Sequence, residues 1–362
     1  MRPRVEIDLA ALVANLARVR AQAPDARVLA VVKADAYGHG LVPVARMLAP
    51  LVDGLAVARL DEGEALRAAG IESRVLLLAG AADRAELVRA AALGLGLVVH
   101  RSEQVDLLAA AGPPSVDVWL KIDTGMHRLG VEPAEVAALI SRLNGLESVR
   151  TVRVMSHLAN ADRPARPENE TQLRRFADVT SALGRETSLL NSAGVFSWPE
   201  AAGDWIRPGI ALYGGAPVAD RTAAELGLKP VMTFSARLIA INQHIAGDAI
   251  GYGGAWVCPE DMPVGVVGAG YGDGYPRHAP SGTPVLLGNR PVPLIGTVSM
   301  DTMCVDLRGH EQARVGDSVT LWGAGLPADA IAERANTIAY ELFCGITARV
   351  EHVYRGSAGP DA

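Results

Sequence analysis

Apolar residues fall into short unbroken runs that alternate with longer stretches patterned at helical spacing. Near the start, Leu9, Leu12, Val13, Leu16 and Val19 share one helical face, and Asp8 stands before them as a capping residue. The pattern predicts that the chain opens with a helix. Apolar runs follow at residues 28–33, 55–59, 75–80, 96–100, 116–123, 149–157, 188–192 and 205–213. Most are apolar almost throughout rather than alternating, as a strand buried on both faces of a parallel sheet must be. Between them, 61–69, 83–93, 102–111, 133–143 and 168–183 are rich in Ala, Leu, Glu and Arg, and most open on a capping residue or proline. Eight strand–helix repeats predict an α/β fold, a closed (β/α)8 TIM-type barrel. A doubly wound open sheet is the competing arrangement, and no Gly-x-Gly-x-x-Gly after a strand supports it.

At Lys229-Pro230 the texture changes to alternating segments separated by Gly, Pro and Asp turns. A mainly β C-terminal domain over 230–362 is expected after a barrel over 1–229, with one helix at 328–343 and a last strand at 349–354. The length of 362 residues suits two domains, and with 49% hydrophobic but only 4% aromatic residues the core must be built from Ala, Val and Leu. A net charge of -6 without blocks of like charge leaves no footprint for nucleic acid or an anionic membrane, so neither is an expected partner. Cys258, Cys304 and Cys344 are far apart and odd in number, which fits neither a disulfide framework nor a Cys-x-x-Cys metal site. No metal is expected, and a reducing compartment is. The first residues lack the apolar core of a signal peptide and no apolar run is long enough to span a bilayer, so the expected location is the cytoplasm.

In a parallel barrel, chemistry sits where strands end. The first run ends in Ala30-Val31-Val32-Lys33-Ala34-Asp35-Ala36-Tyr37-Gly38-His39-Gly40. An amine at the mouth of an apolar wall has a lowered pKa, and its natural chemistry is a Schiff base. Tyr37 adds a hydroxyl, while Gly38 and Gly40 let backbone turn closely around a phosphorylated cofactor. A surface lysine followed by a turn is the plainer reading. Other strand ends carry Lys121 to Arg128, His157, Asn191-Ser192 and Arg207-Pro208-Gly209. Taken singly, Arg128 suits a surface ion pair, Lys121 a partner for Asp123, His157 a core histidine and Ser192 a helix cap. A helix start there also suits a phosphate.

The Lys33 segment closely resembles the pyridoxal phosphate (PLP) attachment segment of alanine racemases, and the likeness continues through most of the chain. The resemblance implies that Lys33 binds PLP and serves one face of the substrate, with Tyr37, Ser192 and the backbone of Gly209 and Ile210 around the phosphate. Arg128, after Asp-Thr-Gly-Met-His, is similar to the arginine that bonds the cofactor's phenolic oxygen and the substrate carboxylate. Lys121 matches a lysine that many members carbamylate to hold that arginine, and His157 becomes a cofactor-side histidine. Arg207, in Trp-Ile-Arg-Pro-Gly, resembles the arginine that faces the pyridine nitrogen where most other PLP enzymes place a carboxylate. A guanidinium cannot accept the pyridinium proton, so the ring stays a weaker electron sink and reprotonation wins over transamination.

Tyr252, in Gly-Tyr-Gly-Gly, matches the family's second proton carrier, although by itself it reads as a turn tyrosine. Met300, in Ser-Met-Asp, resembles the residue whose backbone N–H binds the substrate carboxylate, against a plain reading as core packing. The segment Gly270 to Arg277 is similar to the family's entrance channel. Two positions depart from the pattern of some members: Thr297, where they have an entrance arginine, and Ala348, where they have a phosphate-contacting tyrosine. The implied activity is a two-base interconversion of L- and D-alanine, supplying D-alanine for cell-wall peptidoglycan or serving alanine catabolism. The implied assembly is a homodimer whose C-terminal domains complete each other's sites. Alternatives are a racemase of serine, a small PLP carrier, which would end near the barrel, and a barrel-type decarboxylase, which would need a carboxylate in place of Arg207.

Overall fold

A computed structural model describes residues 2–112 and 114–356; residues 357–362, the end of the expected second domain, lie outside the described residues. The first element is a strand rather than a helix. β1 (Arg4–Asp8) alternates in burial, with Val5 and Ile7 inward, because Arg-Val-Glu-Ile-Asp has period two. The expected helix follows at Leu9–Arg20, and Asp8 does cap it, accepting from Ala11 N at 2.9 Å.

The eight apolar runs are β2 (Arg27–Val31), β3 (Gly54–Val57), β4 (Val75–Leu77), β5 (Gly96–Val99), β6 (Val116–Lys121), β7 (Val149–Met155), β8 (Thr187–Asn191) and β9 (Trp205–Arg207). Each pairs parallel with the next and β9 pairs with β2, closing the barrel. At the strands' N-terminal end, Trp119 and Trp205 pack edge to face with centroids 5.3 Å apart. The Arg27 guanidinium lies 4.5 Å over Trp205, and Arg27 and Arg153 both pair with Glu186, at 2.7 and 2.5 Å. That end is plugged, which leaves the C-terminal end for chemistry.

The second sheet has eight strands and is built on β10 (Met232–His244). One half of β10 pairs with β1 and with Ser318–Trp322, the other with Met262–Val267, and the register shifts between Leu238 and Ala240. β1 also runs parallel to the last strand, Glu351–Arg355, so the N-terminus is sewn into the sheet made by the C-terminal part of the chain. The single helix expected at 328–343 is two, Ala328–Arg334 and Ala339–Cys344, separated where Asn336 takes φ 53°. The second of these reaches the barrel mouth. A Cβ on Gly38 would lie 2.0 Å from the Phe343 carbonyl oxygen, so glycine is required for the approach.

Candidate active site

Directly after Lys33, the residues Ala34, Asp35, Ala36 and Tyr37 all have φ near +53°, forming one turn of left-handed helix without a glycine. Such geometry costs an L-residue about 1–2 kcal/mol, so it persists only where the surroundings impose it. Here they do. Glu62 Oε1 accepts from Ala34 N at 2.6 Å, Asp35 Oδ1 accepts from Leu41 N at 2.6 Å, and the Tyr37 ring stacks on Tyr213 at 4.7 Å. The Tyr213 hydroxyl in turn donates to Val31 O at 2.9 Å, locking the stack to the strand that delivers Lys33.

A cavity of about 430 Å³ opens at the C-terminal ends of the barrel strands. Lys33, Tyr37, Lys121 and Arg128 line it, as do His157, Ser192, Arg207, Gly209 and Ile210, so every candidate from the barrel meets in one place. Tyr252 and Met300 do not line it. They are 69% and 52% exposed, Tyr252 in the turn between the short strands Ala249–Ile250 and Trp256–Val257. Thr297 lies beside Gly251, next to Tyr252, while Ala348 is exposed and its carbonyl accepts from the Arg2 guanidinium at 3.1 Å.

One end of the cavity is built for an anion. Ser192 does not cap its helix: Asn191 does, with Oδ1 accepting from Gly194 N at 2.9 Å. The Ser192 hydroxyl instead accepts from the amides of Gly209 at 2.8 Å and Ala211 at 3.2 Å, which gathers these donors around one oxygen. Burial pushes the Tyr37 phenol up, so it remains a proton donor beside them.

At the other end Arg207 is 4% exposed, and its hydrogen-bond partners are all neutral. Nη1 donates to Ser188 Oγ at 2.6 Å, and Nη2 to Ser156 O at 2.6 Å, Leu189 O at 3.2 Å and His157 Nδ1 at 3.3 Å. Its Nε–H has no partner among the described residues. Burial lowers Arg207 to about 10, which still leaves it charged at neutral pH. Because the guanidinium can only donate, His157 Nδ1 is the acceptor and the neutral ring carries its proton on Nε2. Burial, then the charges of Arg207, Lys121, Arg128 and Lys33, holds His157 well below the usual histidine range.

Both lysines are depressed. Burial and then Arg128 push Lys33 down, with Glu62 and Cys344 acting the other way. Burial, Arg207, Arg128 and Lys33 bring Lys121 to about 8 against the pull of Asp123. Lys121 and Asp123 form no ion pair among the described residues. Asp123 Oδ1 accepts from the amides of Gly125, Met126 and His127 at 2.9, 3.1 and 3.1 Å, bending the loop that carries Arg128. Arg128 likewise has no carboxylate partner among the described residues, so the plain readings of both cations fail.

Three neighbours are not visible to a rule based on strand ends. Tyr340 and Cys344 lie one turn apart on Ala339–Cys344 and line the cavity, and Glu62 reads in the sequence only as a helix-start glutamate. The cavity therefore gathers four cationic side chains with no carboxylate among its lining residues. The hydroxyls of Ser192 and Tyr37 at one end, an unpartnered N–H at the other and a depressed amine between them fit a phosphorylated aldehyde with a ring acceptor.

Comparison with known proteins gives the family. The model of the alanine racemase N-terminal domain matches residues 7–217, and that of the alanine racemase C-terminal domain residues 231–354. A protein of Nitrosococcus oceani named alanine racemase is 52% identical over 350 residues, covering 96% of this chain and 98% of its own. The crystal structure of the biosynthetic alanine racemase from Pseudomonas aeruginosa superposes with a TM-score of 0.95 at 45% identity, covering 98% of this chain and 100% of that one. The alanine racemase structure from Acinetobacter baumannii gives 0.92 at 37% identity, with the same coverage. By strand order, by the residues at its strand ends and by full-length similarity, the chain belongs to the alanine racemase family.

Proposed function

We propose that the cavity binds PLP and that a second copy of the chain completes it for the interconversion of L- and D-alanine. Bound there, PLP would supply an aldehyde for Lys33 and an electron-withdrawing ring that acidifies the substrate Cα–H. The remaining chemistry belongs to the chain. Lys33, whose amine burial makes easier to deprotonate, moves a proton at one face of Cα, and Tyr252 from the second copy moves one at the other. Arg128 and the Met300 N–H hold the substrate carboxylate, while Tyr37, Ser192, Gly209 and Ile210 hold the phosphate. His157 stays neutral beside the ring, fixed by Arg207.

Lys121 is the proposed carbamylation site. An amine near 8 is partly neutral at physiological pH, and its addition to carbon dioxide releases a proton and leaves an anion among Arg128, Arg207 and Lys33. The exposure of Tyr252 and Met300, with Ile245 and Val257 exposed at 65% and 53% in the same part of the chain, supports burial of this face against a second copy. A cofactor-binding domain over 1–229, except that β1 joins the second sheet, and a β domain over 230–362 suit that arrangement. No helix among the described residues is long and apolar enough to cross a membrane. We place the activity in the cytoplasm, making D-alanine for peptidoglycan or serving alanine catabolism.

The observation that carries this reading is Arg207, whose guanidinium hydrogen-bonds only neutral groups and keeps its Nε–H without a partner among the described residues. A decarboxylase would need a carboxylate there. The test has two parts: reduction with borohydride followed by peptide mapping, and α-proton exchange in deuterated buffer with each L-amino acid. The reading requires PLP on Lys33 and exchange with alanine at a rate matching racemisation. A label on another lysine, or exchange without inversion, contradicts it.

A further inference from the structure

Helix Leu60–Ala68 begins just beyond β3, and Glu62 is its third residue. A glutamate there ordinarily reaches back to the amides at its own helix start. Glu62 does so, with Oε2 accepting from Ala58 N at 2.7 Å and Arg59 N at 3.1 Å. Its second oxygen does something that a helix cap does not require. Oε1 accepts from Ala34 N at 2.6 Å, the amide of the peptide that joins Lys33 to the left-handed turn. Glu86 occupies the same position in the next helix, Arg84–Ala92, and there the side chain only accepts from Ala82 N, at 2.8 Å.

We propose that Glu62 is a positioning residue for the racemase reaction: its carboxylate clamps the Lys33–Ala34 peptide, and through it the Lys33 amine, against the end of β3. The inference rests on the role given to Lys33 above. β2 and β3 are already paired, Val31 opposite Ala56, and the carboxylate extends that link beyond their last ladder contacts to the residues where regular hydrogen bonding stops.

Charge acts alongside geometry. Lys33 is faced by Arg128 from the loop after β6, Lys121 from β6 itself, Cys344 from Ala339–Cys344, and Tyr37, Tyr340 and His157 across the cavity. Glu62 is the carboxylate acting on it, and it opposes the downward push of burial and Arg128. Removing that charge has two separable effects. The amine loses its proton at lower pH, and it is less well aimed at an aldehyde.

Apoprotein is mixed with PLP over a range of pH, and covalent attachment is followed by absorbance. Glu62→Gln should move the midpoint of the rate profile to lower pH and cut its plateau by roughly tenfold, the scale of one lost charge-assisted hydrogen bond. Glu62→Asp keeps the charge but is one methylene short, so its midpoint should stay near that of the native chain while the plateau falls. Glu86→Gln loses a comparable helix cap and should change neither. A Glu62→Gln profile that matches Glu86→Gln in midpoint and plateau overturns the proposal. Should that variant not fold, a Glu62→Asp plateau equal to the native one overturns it just as well. Borohydride mapping of the native chain is kept separate: a label away from Lys33 refutes the lysine's role, whereas a label on Lys33 with an insensitive profile refutes only Glu62.

Discussion

The Tyr37 hydroxyl lies 2.4 Å from the point where a Cβ on residue 209 would stand. The end of the cavity where we propose that the phosphate binds is thus closed by a contact that only glycine permits. Gly209→Ala should push the hydroxyl aside and weaken PLP binding by about tenfold or more, measured by equilibrium dialysis. In that background Tyr37→Phe, which removes the clashing atom, should cost less than it does alone. Strictly additive losses would mean that the two residues do not share the phosphate.

Arg207→Glu should lower racemisation and raise the share of turnovers that end as pyridoxamine phosphate and pyruvate. A carboxylate can hold a proton on the ring nitrogen, which the native guanidinium cannot do. Product partitioning with alanine decides it, and an unchanged ratio would remove the electronic role of Arg207.

Acid should destabilise the fold through His39. This side chain is fully buried, donates Nδ1–H to Tyr37 O at 2.8 Å, and has no partner at Nε2 among the described residues. Burial lowers it to about 4 from 6.5. Between these values the unfolded chain takes a proton that the folded one refuses, so stability is full above about pH 6.5 and falls as pH drops toward 4. The full effect is roughly 3 kcal/mol at about 1.4 per pKa unit, and His157 adds in the same direction. His39→Gln should flatten the decline of the urea midpoint over that window. Equal slopes for variant and native chain would exclude His39 as the source.

The barrel is legible in the sequence because its strands are buried on both faces, so each appears as an apolar run. Strand ends also place Lys33, Lys121, His157 and Arg207 among the candidates, but Arg59, His100 and Asp123 end other runs without lining the cavity, so the rule alone does not select the site. Other features depend on partners far away in sequence. β1 alternates plainly as Val5 and Ile7, but it is only five residues long and pairs with strands beginning at Met232 and Glu351. The left-handed turn at Ala34–Tyr37 has no glycine to announce it, and its conformation is imposed by Glu62, Asp35 and Tyr213. Tyr340 and Cys344 reach the cavity because Gly38 lets a helix from the other end of the chain approach. Ser192 shows the remaining difficulty: a serine at a helix start reads as a cap, and only the position of Asn191 reveals that its hydroxyl serves Gly209 and Ala211 instead.

The central claim is that Lys33 and Tyr252 act on one substrate from two chains. Lys33 lines the cavity, whereas Tyr252 of the same chain stands outside it, largely exposed. Lys33→Ala and Tyr252→Phe should each be nearly inactive. When the two variants are unfolded together in equal amounts and reassembled at random, half the dimers are mixed and each mixed dimer holds one intact site. About a quarter of native racemase activity should then return. Activity that stays at the level of the separately refolded variants, in mixtures shown by tagged pull-down to contain the mixed dimer, would contradict the shared site.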